Sequence, residues 1–262
     1  MLSFPNAKIN IGLNITSKRP DGYHNIESCF YPIPWYDALE ILPANSLQFT
    51  TSGLEIPGTT SSNLCIKAYE ILKSEYNIGP VHIHLHKVIP MGAGLGGGSA
   101  DGAFTLTMLN DIFHLNLSIQ ALRDVAGRLG SDCPFFIENR PAIVRGTGNE
   151  FFNCSVNLKG KYLAVRNPGI HISTAEAYRN VVPSIPESAI EEILNGSITS
   201  WKSKLNNQFE LSIFPNHPQI ADIKQELYKH GAIYASMTGS GSTVFGLFDQ
   251  YPDLPKYRIL GL

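Results

Sequence analysis

Apolar and polar residues alternate through Ile9, Ile11, Leu13 and Ile15, and again through Val81-His82-Ile83-His84-Leu85-His86. A period of two belongs to a strand with one face in a core. Residues 1–50 read as β-rich, with Glu40-Ile41-Leu42 following a turn. The period then lengthens. Leu64, Ala68, Ile71 and Leu72 share one face of a helix over 63–76 that Asn63 is placed to cap, and Ala103, Leu106, Leu109 and Phe113 recur at helical spacing. Ser118 predicts the cap of a helix carrying Leu122, Val125, Ala126 and Leu129, which Gly130 stops. Residues 135–165 read as strands and turns. Pro, Ser and Glu are frequent over 183–200, which reads as a join between surface helices. Residues 201–214 and 220–230 read as helices, and 233–237 and 244–248 flank Thr238-Gly239-Ser240-Gly241-Ser242. A change near residue 155 from β-rich to helix-rich predicts two α+β domains, 1–155 and 156–262, with an active site in the cleft between them.

The densest chemical signal lies where the 81–87 strand gives way to a helix. Residues 90–100 read Pro90-Met91-Gly92-Ala93-Gly94-Leu95-Gly96-Gly97-Gly98-Ser99-Ala100, followed by Asp101. Glycine at 92, 94, 96, 97 and 98 strips side chains from backbone that something must approach closely. A helix N-terminus offers free N–H groups and a positive dipole end to an anion, most often a phosphate. A flexible connector is the plain alternative, but such a connector rarely runs straight into an amphipathic helix. Gly92-x-Gly94-x-x-Gly97 fits the dinucleotide fingerprint by letter, yet that fingerprint also wants a second strand and an acid about 20 residues on. Asp111 has the spacing but falls on the helix that begins in the loop. A Walker loop is excluded because Gly98 and Ser99 stand where its lysine would follow. What is left is a phosphate loop that draws its neutralising charge from the helix end, the Ser99 hydroxyl, a metal ion and basic residues elsewhere.

Bulk properties narrow the class. The 262 residues carry a formal charge of -2 with 43% hydrophobic residues, so a core is available and a general nucleic-acid binder is disfavoured. No apolar run reaches the length of a membrane span. Motif residues begin at Phe4, which leaves no room for a targeting peptide and makes the cytoplasm the default. Cys29, Cys65, Cys133 and Cys154 are scattered without a Cys-x-x-Cys pair and read as reduced, mostly buried residues. His82, His84 and His86 share one strand face, which could bind a metal but reads better as a polar, solvent-facing surface. No residue is singled out as a protein ligand of a metal, and no obligate protein partner is evident.

Pro90-x-x-x-Gly94-Leu95-Gly96-Gly97-Gly98-Ser99-Ala100 resembles the phosphate loop of the GHMP kinases, the superfamily of galactokinase, homoserine kinase, mevalonate kinase and phosphomevalonate kinase. Near the N-terminus, Pro5-Asn6-Ala7-Lys8-Ile9-Asn10-Ile11-Gly12-Leu13 followed by Arg19-Pro20-Asp21-Gly22-Tyr23-His24 resembles one branch of that superfamily. Its members act on 4-diphosphocytidyl-2-C-methyl-D-erythritol in the non-mevalonate isoprenoid pathway. Gly130-Ser131-Asp132-Cys133-Pro134-Phe135-Phe136, Asn167-Pro168-Gly169-Ile170, Ser173-Thr174-x-x-x-Tyr178 and the 238–242 glycine motif extend the resemblance over nearly the whole chain. The departures are Cys133 where Val is usual, Gly102 and Phe104 where small alanines are common, and a short C-terminus.

The resemblance implies an α+β, two-domain GHMP kinase architecture: a ribosomal protein S5 domain 2-like N-terminal domain and a ferredoxin-like C-terminal domain. It implies ATP and Mg²⁺, with residues 90–100 holding the ATP phosphates. It makes Asp132 the catalytic base and Lys8 its cationic partner, though spacing alone leaves Asp132 equally readable as a turn aspartate. Asn10, Tyr23, His24, Thr174, Tyr178, Gly239, Ser240 and Gly241 become substrate residues, with Tyr178 as the second aromatic of a cytosine sandwich. Tyr178 packed onto the core is the structural alternative, and Ser99 either meets phosphate or Mg²⁺, caps the helix, or does both. Homoserine or mevalonate kinase is the next reading, a dinucleotide-dependent oxidoreductase a weaker one, and an RNA-binding module the weakest.

Overall fold

The structure, a computed structural model, describes residues 1–179 and 181–262. In chain order the strands are β1 Leu2–Ser3, β2 Asn6–Lys18, β3 His24–Tyr36, β4 Ala38–Pro43, β5 Gln48–Gly53, β6 Val81–Lys87, β7 Ala142–Arg145, β8 Glu150–Asn153, β9 Tyr162–Arg166, β10 Tyr234–Met237, β11 Val244–Phe248 and β12 Arg258–Gly261. The helices are α1 Leu64–Tyr76, α2 Gly97–Ile112, α3 Ile119–Leu129, α4 Phe135–Glu138, α5 Thr174–Tyr178, α6 Ile190–Leu194, α7 Trp201–Lys204, α8 Glu210–Ile213 and α9 Pro218–Lys229. They form two compact units, neither of them a continuous run of chain. One comprises Met1–Ala7, Trp35–Met91 and Gly96–Arg140; the other comprises Lys8–Pro34, Gly92–Leu95 and Pro141–Leu262. The second unit gathers Lys8–Pro34 and Gly92–Leu95 together with Pro141–Leu262, so the units are not successive runs of chain.

In the first unit the sheet order is β1-β4-β6-β5, with β6 antiparallel to β4 and parallel to β5. Helices α1, α2 and α3 pack on one another, and α2 lies against β4. Asn63 accepts from the Cys65 N–H and Ser118 from the Ala121 N–H, so both expected caps form. The α1–α2 contact is very close: a Cβ on Gly102 would stand 2.9 Å from Leu64 Cβ. The glycine found where alanine was expected thus serves packing. Along β6, Val81, Ile83, Leu85 and Lys87 are buried. The His82, His84 and His86 rings form a hydrogen-bonded ladder with the Thr50 and Ser52 hydroxyls of β5.

The second unit holds the sheet β2-β3-β7-β8 and the antiparallel sheet β10-β11-β9-β12. The last residues supply β12, paired along β9. Ile220, Ile223 and Leu227 of α9 share a core with Ala235, Met237, Val244 and Phe248. Two local expectations fail. Residues 135–138 form a helical turn rather than strand, burying Phe135 and Phe136. The single helix expected over 201–214 is broken: Leu13 N–H donates to Asn206 O at 2.9 Å and Gln208 N–H to Leu13 O at 2.8 Å, so strand pairing to β2 overrides helix propensity there. Among the described residues no helix is long and apolar enough to cross a membrane.

All four cysteines are free thiols, with Cys29, Cys65 and Cys133 buried and Cys154 half-buried. Cys154 Sγ lies 3.6 Å from Cys29 Sγ. The Cys29 hydrogen bond lowers the Cys154 thiol to about 7 against the opposing effect of burial, whereas burial pushes Cys133 up to about 12. Because the thiolate is the nucleophile, iodoacetamide at neutral pH is expected to label Cys154 first, with a rate midpoint near pH 7. Peptide mass spectrometry across a pH series reads this directly. Prior labelling of Cys65 or Cys133 would contradict the assignment.

Candidate active site

Strand β2 is buried on both faces from Asn6 to Leu13, so Lys8 and Asn10 are 2% and 1% exposed. A lysine and an amide taken out of water need partners. Lys8 Nζ donates to Asn10 Oδ1 at 2.6 Å and to Gly94 O at 3.2 Å, and lies 4.6 Å from the Phe30 ring centroid. Its backbone N–H donates to Leu95 O at 2.9 Å. Asn10 Oδ1 also accepts from the Gly239 N–H at 2.9 Å, and Asn10 Nδ2 donates to Ser28 Oγ at 2.9 Å. Thr238 Oγ1 accepts from the Asn10 N–H at 3.0 Å and reaches Gly94 O at 3.0 Å. Motifs from the start, middle and end of the chain therefore meet in one network inside the second unit. The Asn10 side chain is occupied within the protein through both its oxygen and its nitrogen.

The two glycine motifs touch backbone to backbone. Gly94 has φ +78°, and a Cβ there would lie 2.0 Å from Thr238 O. Asn207, buried in the segment that breaks the expected helix, donates to Met237 O at 2.7 Å and Gly239 O at 2.8 Å. Asn167 donates to Thr243 Oγ1, and Ser242 Oγ to Ile170 O, which docks 167–170 against the same loop. His171 follows, its Nδ1 3.5 Å from where a Gly92 Cβ would stand. Asn207, Ser28 and His171 escaped the sequence reading. Each is a lone polar residue whose role depends on partners far away in sequence.

In the first unit, α2 begins at Gly97 after a left-handed Gly96, and no side chain caps it. Ser99 is therefore not the cap of this helix. The Ser99 hydroxyl and the Asp132 carboxylate both act on the Cys133 thiol, against and with the upward push of burial respectively. Ser99 and the Asp132 turn are thus neighbours. Asp132 is half-buried between α3 and α4. Beside them lies a cluster the sequence reading passed over. Lys87 Nζ donates to Asp37 Oδ2 at 2.5 Å and Asp101 Oδ2 at 2.7 Å, all three side chains almost fully buried. Burial pushes the Asp101 carboxyl up, against the pull of Lys87.

The aromatic residues sit at the second unit's surface. Tyr23 is 68% exposed, on a turn closed by Arg19 N–H to Tyr23 O at 2.8 Å. The Tyr23 N–H, followed by Arg19, holds the Asp21 carboxyl of that turn below its usual range. His24 and Tyr178 stack at 4.7 Å and 20°, and Phe209 meets Tyr178 edge-on at 4.8 Å. Stacked atoms approach to about 3.5–4.0 Å, so a base between two rings needs about twice that. No base fits between His24 and Tyr178 as they stand. Thr174 is exposed as the first residue of α5, whose cap is Ser173. Two cavities of the second unit, one lined by Asn14, Ser184 and Lys204 and the other by Arg19, Glu27 and Arg145, contain none of the expected site residues.

Comparison with known proteins gives the family. Residues 63–140 match the GHMP kinases N terminal domain and residues 189–255 the GHMP kinases C terminal family. A 4-diphosphocytidyl-2-C-methyl-D-erythritol kinase of Cytophaga hutchinsonii is 55% identical over 97% of this chain and 94% of its own length. Its counterpart in Parabacteroides distasonis is 51% identical over 95% and 92%. A crystal structure of 4-(cytidine 5'-diphospho)-2C-methyl-D-erythritol kinase superposes with a TM-score of 0.79 at 31% identity, covering 94% of this chain and 90% of that one. The chain belongs to the GHMP kinases and, within them, to the family of these 4-diphosphocytidyl-2-C-methyl-D-erythritol kinases. The α+β GHMP kinase architecture implied by the motifs is the one found.

Thr238 offers a clean test of the network, because valine keeps its shape and removes the hydroxyl. Thr238→Val leaves the buried Asn10 N–H without its acceptor, and the expected loss of stability is about 1–3 kcal/mol. Urea unfolding measures it. A loss under a few tenths of a kcal/mol would show that the network does not hold these segments.

Proposed function

We propose that this chain transfers the γ-phosphoryl group of ATP to the C2 hydroxyl of 4-diphosphocytidyl-2-C-methyl-D-erythritol, a step of the non-mevalonate (methylerythritol phosphate) isoprenoid pathway, in the cytoplasm. The observation that carries this reading is the network joining Lys8, Asn10, Gly94 and the Thr238–Gly239 backbone. It occurs in a chain 55% identical to a kinase of that name. Phosphoryl transfer asks for little covalent chemistry and much positioning.

Residues 90–100 receive the polyphosphate in this reading. The uncapped α2 terminus supports that role, since the N–H groups of Gly97, Gly98 and Ser99 open a 16-residue helix with no side chain bound to them. Mg²⁺ would neutralise polyphosphate charge, and the Ser99 hydroxyl is an oxygen donor of the kind it takes. Asp132 accepts the proton of the attacking hydroxyl. Lys8 supplies a cation whose direction is set by Asn10 and Gly94, ready for charge on the transferring group. Tyr23 and Tyr178 take the cytosine, with His24 moving off Tyr178 or the base using the open Tyr23 face. Thr174 and the Gly239-Ser240-Gly241 backbone meet the rest of the substrate. Residues 1–155 thereby carry the ATP loop, and 156–262 contribute to the substrate site.

With ATP·Mg²⁺ and a panel of alcohols, the purified protein is expected to turn over the cytidyl substrate fastest. Faster turnover of homoserine or mevalonate would reject the assignment within the superfamily. Asp132→Asn keeps size and removes charge, so kcat is expected to fall by about 10²–10⁴ while both substrates bind within a few-fold. Near-full kcat in that variant would place the base elsewhere. Tyr23→Ala is expected to raise KM for the cytidyl substrate by the equivalent of about 1–3 kcal/mol and leave ATP binding unchanged. A selective loss of ATP affinity would exchange the two ligand sites.

A further inference from the structure

The Lys87, Asp37 and Asp101 cluster touches both ends of the phosphate loop and takes no part in the chemistry above. On the entry side, Asp37 Oδ1 accepts from the N–H groups of Val88 at 2.6 Å and Ile89 at 2.8 Å, the residues that lead into Pro90. Its Oδ2 takes the Lys87 ammonium. On the exit side, the same ammonium donates to Asp101 Oδ2, on the first turns of α2. A Cβ on Gly97 would lie 3.0 Å from Lys87 Nζ and 2.8 Å from Ile89 Cγ2, so the strand end and the helix start are pressed together at this point.

As a source of stability this is a poor arrangement. Two carboxylates share one ammonium away from water, and Asp101 Oδ1 is buried with no hydrogen-bond partner. Desolvation of such groups is only partly repaid, and apolar residues of similar volume often do as well or better. What the cluster supplies is direction. Three charged groups with fixed hydrogen-bond vectors set the distance and angle between residue 89 and residue 97, and hence the span of the loop between them.

We propose that Lys87, Asp37 and Asp101 are positioning residues for the ATP phosphates, stapling the two stems of the 90–96 loop so that the first N–H groups of α2 are aimed at the polyphosphate. The proposal rests on the reading of residues 90–100 as the phosphate loop. It separates a buried charge cluster from a merely structural one by its effect on one substrate only.

The experiment measures KM for ATP and for the cytidyl substrate in Asp101→Ala and Asp101→Asn, with folding checked by circular dichroism. Asparagine still offers an oxygen to Lys87, whereas alanine removes it. Asp101→Ala is expected to raise KM for ATP by about tenfold or more, with the other KM within about twofold, and Asp101→Asn to restore ATP KM to within about threefold of wild type. Unchanged ATP KM in folded Asp101→Ala overturns the proposal, as does an equal rise in both KM values. Should Asp101→Ala fail to fold, the Lys87→Met/Asp101→Leu pair, which replaces the ion pair by apolar volume, carries the same comparison. If that pair also fails to fold, the cluster serves the fold alone and the proposal falls. Gly96→Val distinguishes the underlying reading: if its ATP affinity is unchanged, residues 90–100 do not hold phosphate and the fault lies there rather than with the cluster.

Discussion

One buried amide organises the hydrogen-bond network of the second unit. Asn10 Oδ1 accepts from Lys8 Nζ and the Gly239 N–H, and Nδ2 donates to Ser28 Oγ, which itself donates to Gly12 O. In a region excluded from water each of these groups must find a partner, so their positions are mutually determined. A lysine at 2% exposure is tolerable only because acceptors surround it. The constraint passes to the backbone, where Gly94 approaches Thr238 O so closely that any side chain would collide. Glycine at 94 therefore serves the approach of protein to protein.

Side chains of the second unit differ in how tightly they are held. Lys8, Asn10, Thr238 and Asn207 are all buried and multiply bonded. Other side chains are held less tightly: Tyr23 projects from a turn, and His24 and Tyr178 rest on each other.

Much of this was legible in the chain. The alternation at 9–15 and 81–86, the caps at Asn63 and Ser118, and the strand–loop–helix around Gly94 are local, set by side-chain period and by which residues satisfy a helix end. The same holds for motif chemistry: Lys8, Asn10, Gly94 and Gly239 could be singled out individually. The breaks were illegible for the same reason. Nothing within 201–214 announces that Leu205 to Gln208 abandon the helix, since the cause is Leu13, far away along the chain.

The sequence by itself determined the family, most of the element types and the residues worth singling out, because periodicity, caps and glycine-rich motifs act over a few neighbouring positions. Only the tertiary structure decided which of those residues meet. It made Asn10 a hub rather than an open ligand group, left Ser99 beside Cys133 instead of at the cap, and joined Lys87 to Asp37 and Asp101. Those outcomes depend on which polar groups lose water together. That is a property of packing, which no window along the chain contains.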